Sequence, residues 1–164
     1  YKNINNNIKK HISAILLSPY EHPLGNKYFA SLCDIPGYII IYSRPIGRPF
    51  LKRYLKLRGT LFHESGHIMD ANIRQDGEIF SHSSEWSEAQ KNDNDVIKSS
   101  LKYSGYWIFG SAEVYLHEHS ENWALEEDFA DSIRYYAMNR SSNRCLRKNY
   151  PNRYKLVKRL LNDD

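Results

Sequence analysis

The chain alternates short apolar clusters with polar, turn-rich stretches. Ile4, Ile8, Ile12, Ile15 and Leu16 recur at helical spacing, which predicts an opening helix over about Ile4 to Leu17. Pro19 and Pro23 end it, and the turn-rich "HPLGN" follows. Tyr38 to Tyr42, "YIIIY", is β-branched and aromatic and is bounded by Pro36-Gly37 and Pro45, so it reads as a strand. A helix is predicted from about Phe50 through Ile73, with Gly59 as a break point and "QDGE" closing it. "SHSSEWSEAQKNDND" reads as a loop entering a short helix, with Ser83 or Ser84 as the cap. Asp95 to Tyr115 carries no clear period: "SGYWIFGSAEVY" fits a substrate-facing surface segment or a core strand and loop. Further helices are predicted over about Ala124 to Met138 and, around Pro151, over about Tyr150 to Leu161. A helix-rich chain with one small sheet belongs to the α+β class.

Length and composition fit that picture. The 164 residues suit a single domain over 1–164 with one core. No apolar run approaches the ~20 residues that a membrane helix requires, so no membrane partner is expected. The first residue is not methionine and no signal peptide is visible, as in a mature or trimmed form. The net charge is +4, and much of the excess sits in "NRSSNRCLRKNYPNRYKLVKRLLNDD". Such a segment can bind nucleic acid or anionic membrane, but it is more often a solvated helix face. No nucleic-acid motif accompanies it, so no nucleic acid is expected. Cys33 and Cys145 are too far apart in sequence for a compact metal knuckle, and they fit a disulfide or two separate thiols equally well.

The chemistry is concentrated in "GTLFHESGHIMDAN". Residues four apart on a helix share a face, so His63 and His67 can offer imidazole nitrogens to one ion. Glu64, beside the first histidine, cannot point at the same spot but can reach a water bound there, where a general base is needed. Gly66 weakens a helix by about 1 kcal/mol relative to Ala, which suggests close packing at that point. The string alone is a weak signal, and context must decide. Leu61, Phe62, Ile68 and Met69 surround it on a plausibly buried helix, where two histidines and a glutamate without a metal would be costly.

Two histidines and a water leave zinc one protein ligand short. His82, His117, His119 and several acids are candidates. The best is in "ENWALEEDFADSIRYYAMN", where Glu127 and Asp131 are four apart and share a face. Glu127 would complete the tetrahedron, with Glu126 as its rival, and Asp131 would orient a metal-bound histidine through its far nitrogen.

"FHESGHIMD" followed by "EEDFADSIRYY" resembles the zincin metallopeptidases, and within them the anthrax lethal factor catalytic domain and the Pro-Pro endopeptidases. That family carries an H-E-x-G-H-x-x-D helix and a second helix of the form E-x-F-A-[DE]. His63, Glu64, Gly66, His67 and Asp70 match the first; Glu127, Phe129, Ala130 and Asp131 match the second. "FSHSSEWSEAQKND" resembles the Ser-rich stretch that follows the motif helix. The likeness covers roughly Gly59 to Asn139. It implies a gluzincin-type zinc endopeptidase with Zn2+ on His63, His67 and Glu127, and Glu64 as base. It also implies a motif helix beneath a small sheet whose edge strand binds extended peptide, with Tyr38 to Tyr42 as a candidate member of that sheet.

The chain departs from the family at Ser120, seven residues before Glu127, where a tyrosine usually stands to hydrogen-bond the developing oxyanion. Tyr115, His117 and His119 are the candidates for that role. The gap between His67 and Glu127 is also long, as an insertion around "DNDVIKSSLKYSGYWIFGSA" would make it. Asp70 fits either a second layer around the metal or a helix-end acid. The expectation is a monomeric, secreted, toxin-like peptidase acting on peptide or protein. The alternative is a catalytically weak or inactive binding module on a zincin scaffold.

Overall fold

In the computed structural model, residues 6–20, 30–32, 36–42, 50–75, 77–99, 121–138 and 140–161 are described. A short helix α1, Asn6–Lys9, leads into strand β1, Ala14–Ser18. The predicted opening helix is therefore corrected over its second half. "AILL" is a short apolar run whose pattern does not separate helix from strand, and pairing decides it. β1 runs parallel to β3, Tyr38–Tyr42, with Ile15 opposite Ile39 and Leu17 opposite Ile41. The carbonyl of Gly37 accepts from Ser13 N–H at 2.8 Å and leads β1 into register. Only glycine fits there: φ is +83°, and a Cβ would lie 2.5 Å from Ser13 Oγ.

β2, Ala30–Leu32, pairs antiparallel with the other side of β3. The sheet order is thus β1-β3-β2. Tyr38 to Tyr42 forms the predicted strand and is central, so the edges are β1 and β2. Along β3, Ile39 and Ile41 are buried and the alternate positions half-buried, as a sheet with one covered face requires.

That face is covered by α2, Phe50–Asn72, which packs against β2 and β3. The helix continues unbroken through Gly59, one residue short of the predicted end. A hairpin of β4, Arg74–Gln75, and β5, Glu78–Ile79, follows it and turns through Gly77 at φ +87°. A 3-10 turn, Phe80–His82, then enters α3, Ser84–Ser99. Ser83 is the cap: its Oγ accepts from Trp86 N–H at 3.2 Å and donates to Phe80 O at 2.6 Å.

α4, Glu121–Met138, packs along α2. Phe129 of α4 meets Trp86 and Phe80 edge-on, with ring centroids 5.0 and 5.7 Å away, and Ile133 extends this core toward Phe62 and Met69. Two helices close the chain, α5, Arg140–Asn149, and α6, Pro151–Leu161. Sequence pattern predicts α6 but not α5, whose single buried residue, Leu146, leaves too little apolar period to read.

α6 starts with Pro151 in the first helical position, where its missing N–H costs nothing. Asp93 of α3 caps it from outside the helix, Oδ1 accepting from Asn152 N–H at 2.9 Å and Oδ2 from Arg153 N–H at 3.0 Å. The guanidinium of Arg153, fully buried, donates to Asp93 through Nε and to Asp128 of α4 through Nη1. Its far face lies over the ring of Tyr150. This cluster ties α3, α4 and α6 together. The described chain is a helix-rich α+β structure with a three-stranded mixed sheet and a two-stranded hairpin. Among the described residues no helix is long and apolar enough to cross a membrane.

Candidate metal centre

The site lies at a close crossing of α2 and α4. A Cβ on Gly66 would sit 2.6 Å from Cα of Ala130 and 3.2 Å from its Cβ. A glycine on one helix and an alanine on the other let the backbones meet. The flanking turns, His63 and His67 on α2 and Glu127 and Asp131 on α4, then face one another.

His63 Nε2 and His67 Nε2 stand 3.2 Å apart. Glu127 bridges them, with Oε2 at 3.1 Å from His63 Nε2 and Oε1 at 3.2 Å from His67 Nε2. The two imidazoles are nearly perpendicular, at 86°, which aims both nitrogens at one point without stacking the rings. His63, His67 and Glu127 are the group of potential metal ligands among the described residues, with ligand atoms within 4.8 Å of one another. Each is mostly buried, with side-chain exposures of 14–18%.

This arrangement can be tested against a metal's demands. Bonds of about 2.0–2.1 Å at tetrahedral angles place neighbouring ligand atoms about 3.3–3.4 Å apart. Here the two imidazole Nε2 atoms, 3.2 Å apart, are close to that edge length, and each has one Glu127 oxygen beside it, Oε2 at 3.1 Å from His63 and Oε1 at 3.2 Å from His67. The donor set, two imidazoles and a carboxylate, is also one that zinc accepts with a fourth position left open.

Asp131 holds the second nitrogen of His63, its Oδ1 lying 2.8 Å from Nδ1. That contact leaves Nε2 facing the cluster. The same Oδ1 is 3.1 Å from Arg134 Nη2, one turn along α4. Arg134 is a contributor that sequence reading missed, although its i,i+3 spacing from Asp131 was visible.

The electrostatics follow from the packing. Burial disfavours a charged His63, but the hydrogen bonds to Asp131 and Glu127 outweigh it and push its pKa up to about 10. Burial likewise opposes ionisation of Glu127, but hydrogen bonds from His63 and His67 hold its carboxyl down at about 2. In the metal-free chain a proton on His63 therefore balances the carboxylates.

The neighbouring acids have other partners. Glu126, the rival third ligand, turns to His82, with Oε1 3.1 Å from Nε2. His82 is thereby placed on Glu126 rather than in the ligand cluster. Asp128 pairs with the buried Arg153 of α6 instead. Asp70 is buried, and its Oδ1 accepts from Ser81 N–H at 2.7 Å. It thus fastens the turn that carries His82 to the end of α2. Burial raises its pKa despite that hydrogen bond. Glu64 is half-buried on α2 beside His63. Tyr115, His117 and His119 lie outside the described residues, as does Cys33, while the Cys145 thiol is free and exposed on α5.

Set against protein-family models, curated proteins and solved structures, the chain matches none of them.

Proposed function

We propose that this chain is a zinc-dependent endopeptidase with a zincin-like domain. The observation that carries the reading is the convergence of His63 Nε2, His67 Nε2 and the Glu127 carboxylate, with each imidazole within 3.2 Å of one carboxylate oxygen and Asp131 behind His63. A motif kept only by chance has no reason to find a third ligand on another helix and a carboxylate behind the first.

His63, His67 and Glu127 would hold the ion. Zinc bound there would polarise a scissile carbonyl and lower the pKa of a water molecule. Glu64, one residue from His63 yet pointing elsewhere on the helix, would take a proton from the attacking water and return it to the leaving nitrogen. Asp131 would keep the His63 ring in place and add electron density to it. An extended substrate would add as a strand to β1 or β2, since β3 is paired on both sides. The oxyanion would be met by a donor from Tyr115, His117 or His119.

The experiment is metal analysis of the purified chain, followed by a peptide-library cleavage assay. The expected result is about one zinc per chain, lost in His63→Ala and Glu127→Ala, with cleavage abolished in Glu64→Gln while zinc is retained. No zinc after supplementation sinks the proposal. Zinc held without turnover of any library peptide leaves the alternative, a binding module on a zincin scaffold.

A further inference from the structure

The second half of the C-terminal region carries a separate feature. Residues 140–161 contain eight lysines and arginines and no aspartate or glutamate. The rest of the chain then holds fifteen cations against nineteen acids, a net −4. A face kept merely soluble mixes both signs. Here the signs are segregated.

The structure sorts these eight cations by use. Arg153 is buried between Asp93 and Asp128, and Arg159 makes a two-pronged pair with Glu85 at 2.7 Å. The other six, Arg140, Arg144, Arg147, Lys148, Lys155 and Lys158, are exposed and form no ion pair among the described residues.

Four of the six are on α5, which packs against α4 and α6. At about 100° per residue, Arg140, Arg144, Arg147 and Lys148 fall within an arc of about 100°, and the buried Leu146 lies nearly opposite. The ridge is about 12 Å long at 1.5 Å per residue. Its base is rigid: Asn143 Nδ2 donates to Tyr136 O at 3.0 Å, Leu146 is fully buried, and Asp93 caps the helix that follows.

We infer that this ridge docks on duplex nucleic acid through its phosphates, without selecting sequence. The side chains decide the class of partner. The exposed residues of α5 are Arg140, Ser141, Arg144, Cys145, Arg147, Lys148 and Asn149. Arginine, lysine, serine and asparagine are phosphate donors. The large exposed hydrophobic side chains among the described residues, Leu16, Leu17 and Tyr20, are on or beside β1 instead. A protein partner needs apolar or aromatic anchors, and a membrane-lying helix needs an apolar stripe facing outward; the ridge has neither. Interfaces with nucleic acid are by contrast polar and strongly positive.

The test is fluorescence anisotropy with a labelled duplex of about 20 base pairs of arbitrary sequence, in about 50 mM and then 200 mM salt. Binding by the wild-type chain should weaken about a hundredfold over that range if about four phosphates are contacted. A second duplex of unrelated sequence should bind equally well. The variant R140Q/R144Q/R147Q/K148Q should bind at least tenfold more weakly and keep its thermal midpoint to within a few degrees, because those side chains are exposed and form no ion pair among the described residues. If it loses helix by circular dichroism, the double variants R140Q/R144Q and R147Q/K148Q serve instead, each with a smaller loss expected. Absence of salt-dependent binding overturns the inference, as does binding that the substitutions leave intact. Tighter binding at equal salt to phosphatidylserine vesicles or to a polyglutamate peptide overturns the class of partner. The metal centre takes no part, so His63→Ala should bind the duplex like wild type, whatever becomes of the peptidase reading.

Discussion

Gly66 lies against Ala130 so closely that a Cβ on the glycine would be 2.6 Å from the alanine Cα. That contact sets the distance between α2 and α4, and hence between the histidines and Glu127. In an unconstrained helix, Gly→Ala gains up to about 1 kcal/mol. At position 66 the obstacle is backbone and cannot swing aside, so Gly66→Ala should instead cost about 1–3 kcal/mol by overpacking. Zinc affinity should fall with it. Gly59, two turns earlier, is the control: a Cβ there meets Met138 Sδ at 3.7 Å, an ordinary contact. Gly59→Ala should be neutral or stabilising. Denaturant titration of both variants gives opposite signs if the helix crossing is as described, and equal signs would refute it.

Asp131 and Glu126 make a second contrast on α4. Asp131→Asn preserves size but removes the charge behind His63 Nδ1, and loss of such a partner lowers metal affinity about 10–100-fold. Glu126→Gln removes a carboxylate engaged with His82, so zinc affinity should change by less than about threefold against that same scale. Competition with a chelator of known affinity measures both. Equal losses would mean that Glu126 shares in holding the ion.

Much of the candidate site was legible because its spacing is mechanical. His63 and His67 are one turn apart, as are Glu127 and Asp131, and the helices that present them are long enough to be read from pattern. Choosing Glu127 over Glu126 required knowing which face of α4 meets α2, and the Gly66–Ala130 contact fixes that face. Sequence analysis missed what tertiary pairing determines. "AILL" becomes strand β1 because β3 offers it a parallel partner, a relation with no local signature. Helix α5 has one buried apolar residue and therefore almost no period. The Asp93–Arg153–Asp128 cluster joins positions 25 and 60 residues apart, and nothing in the charge pattern selects Arg153 from its seven cationic neighbours in 140–161.

That buried cluster predicts an asymmetry. Arg153→Met leaves Asp93 and Asp128 without their shared cation and should cost about 3–5 kcal/mol. Asp128→Asn should cost less, since two carboxyls share one guanidinium and burial already pushes Asp128 up to about 6. A raised carboxyl pKa contributes stability that is present below the ordinary value near 3.8 and lost as pH rises through about 6. Asp128→Asn lacks that dependence. Its deficit relative to wild type should therefore shrink between about pH 4 and pH 7, as followed by urea unfolding at several pH values. A deficit that grows over that range would show Asp128 ionised and held by Arg153 throughout.

The protonation of the metal-free centre predicts how zinc should enter it. His63, with its pKa raised to about 10, is charged at neutral pH, and Glu127, held near 2, is ionised. An imidazole binds zinc only through a neutral nitrogen, so the ion must displace the His63 proton. Calorimetric titration in buffers of different ionisation enthalpy should therefore show about one proton released per zinc near pH 7.5. Apparent affinity should rise by up to about tenfold per pH unit over that neutral range. For the metal-free fold the signs are opposite at the two residues. The His63 contribution is full below about 6.5 and lost as pH rises through about 10; the Glu127 contribution is present above about 4.5 and lost as pH falls through about 2. Adding zinc should thus help stability most on the alkaline side, where the proton no longer holds the carboxylates together. Binding without proton release would mean that His63 is neutral in the free chain, and the charge balance drawn for the centre would fall with it.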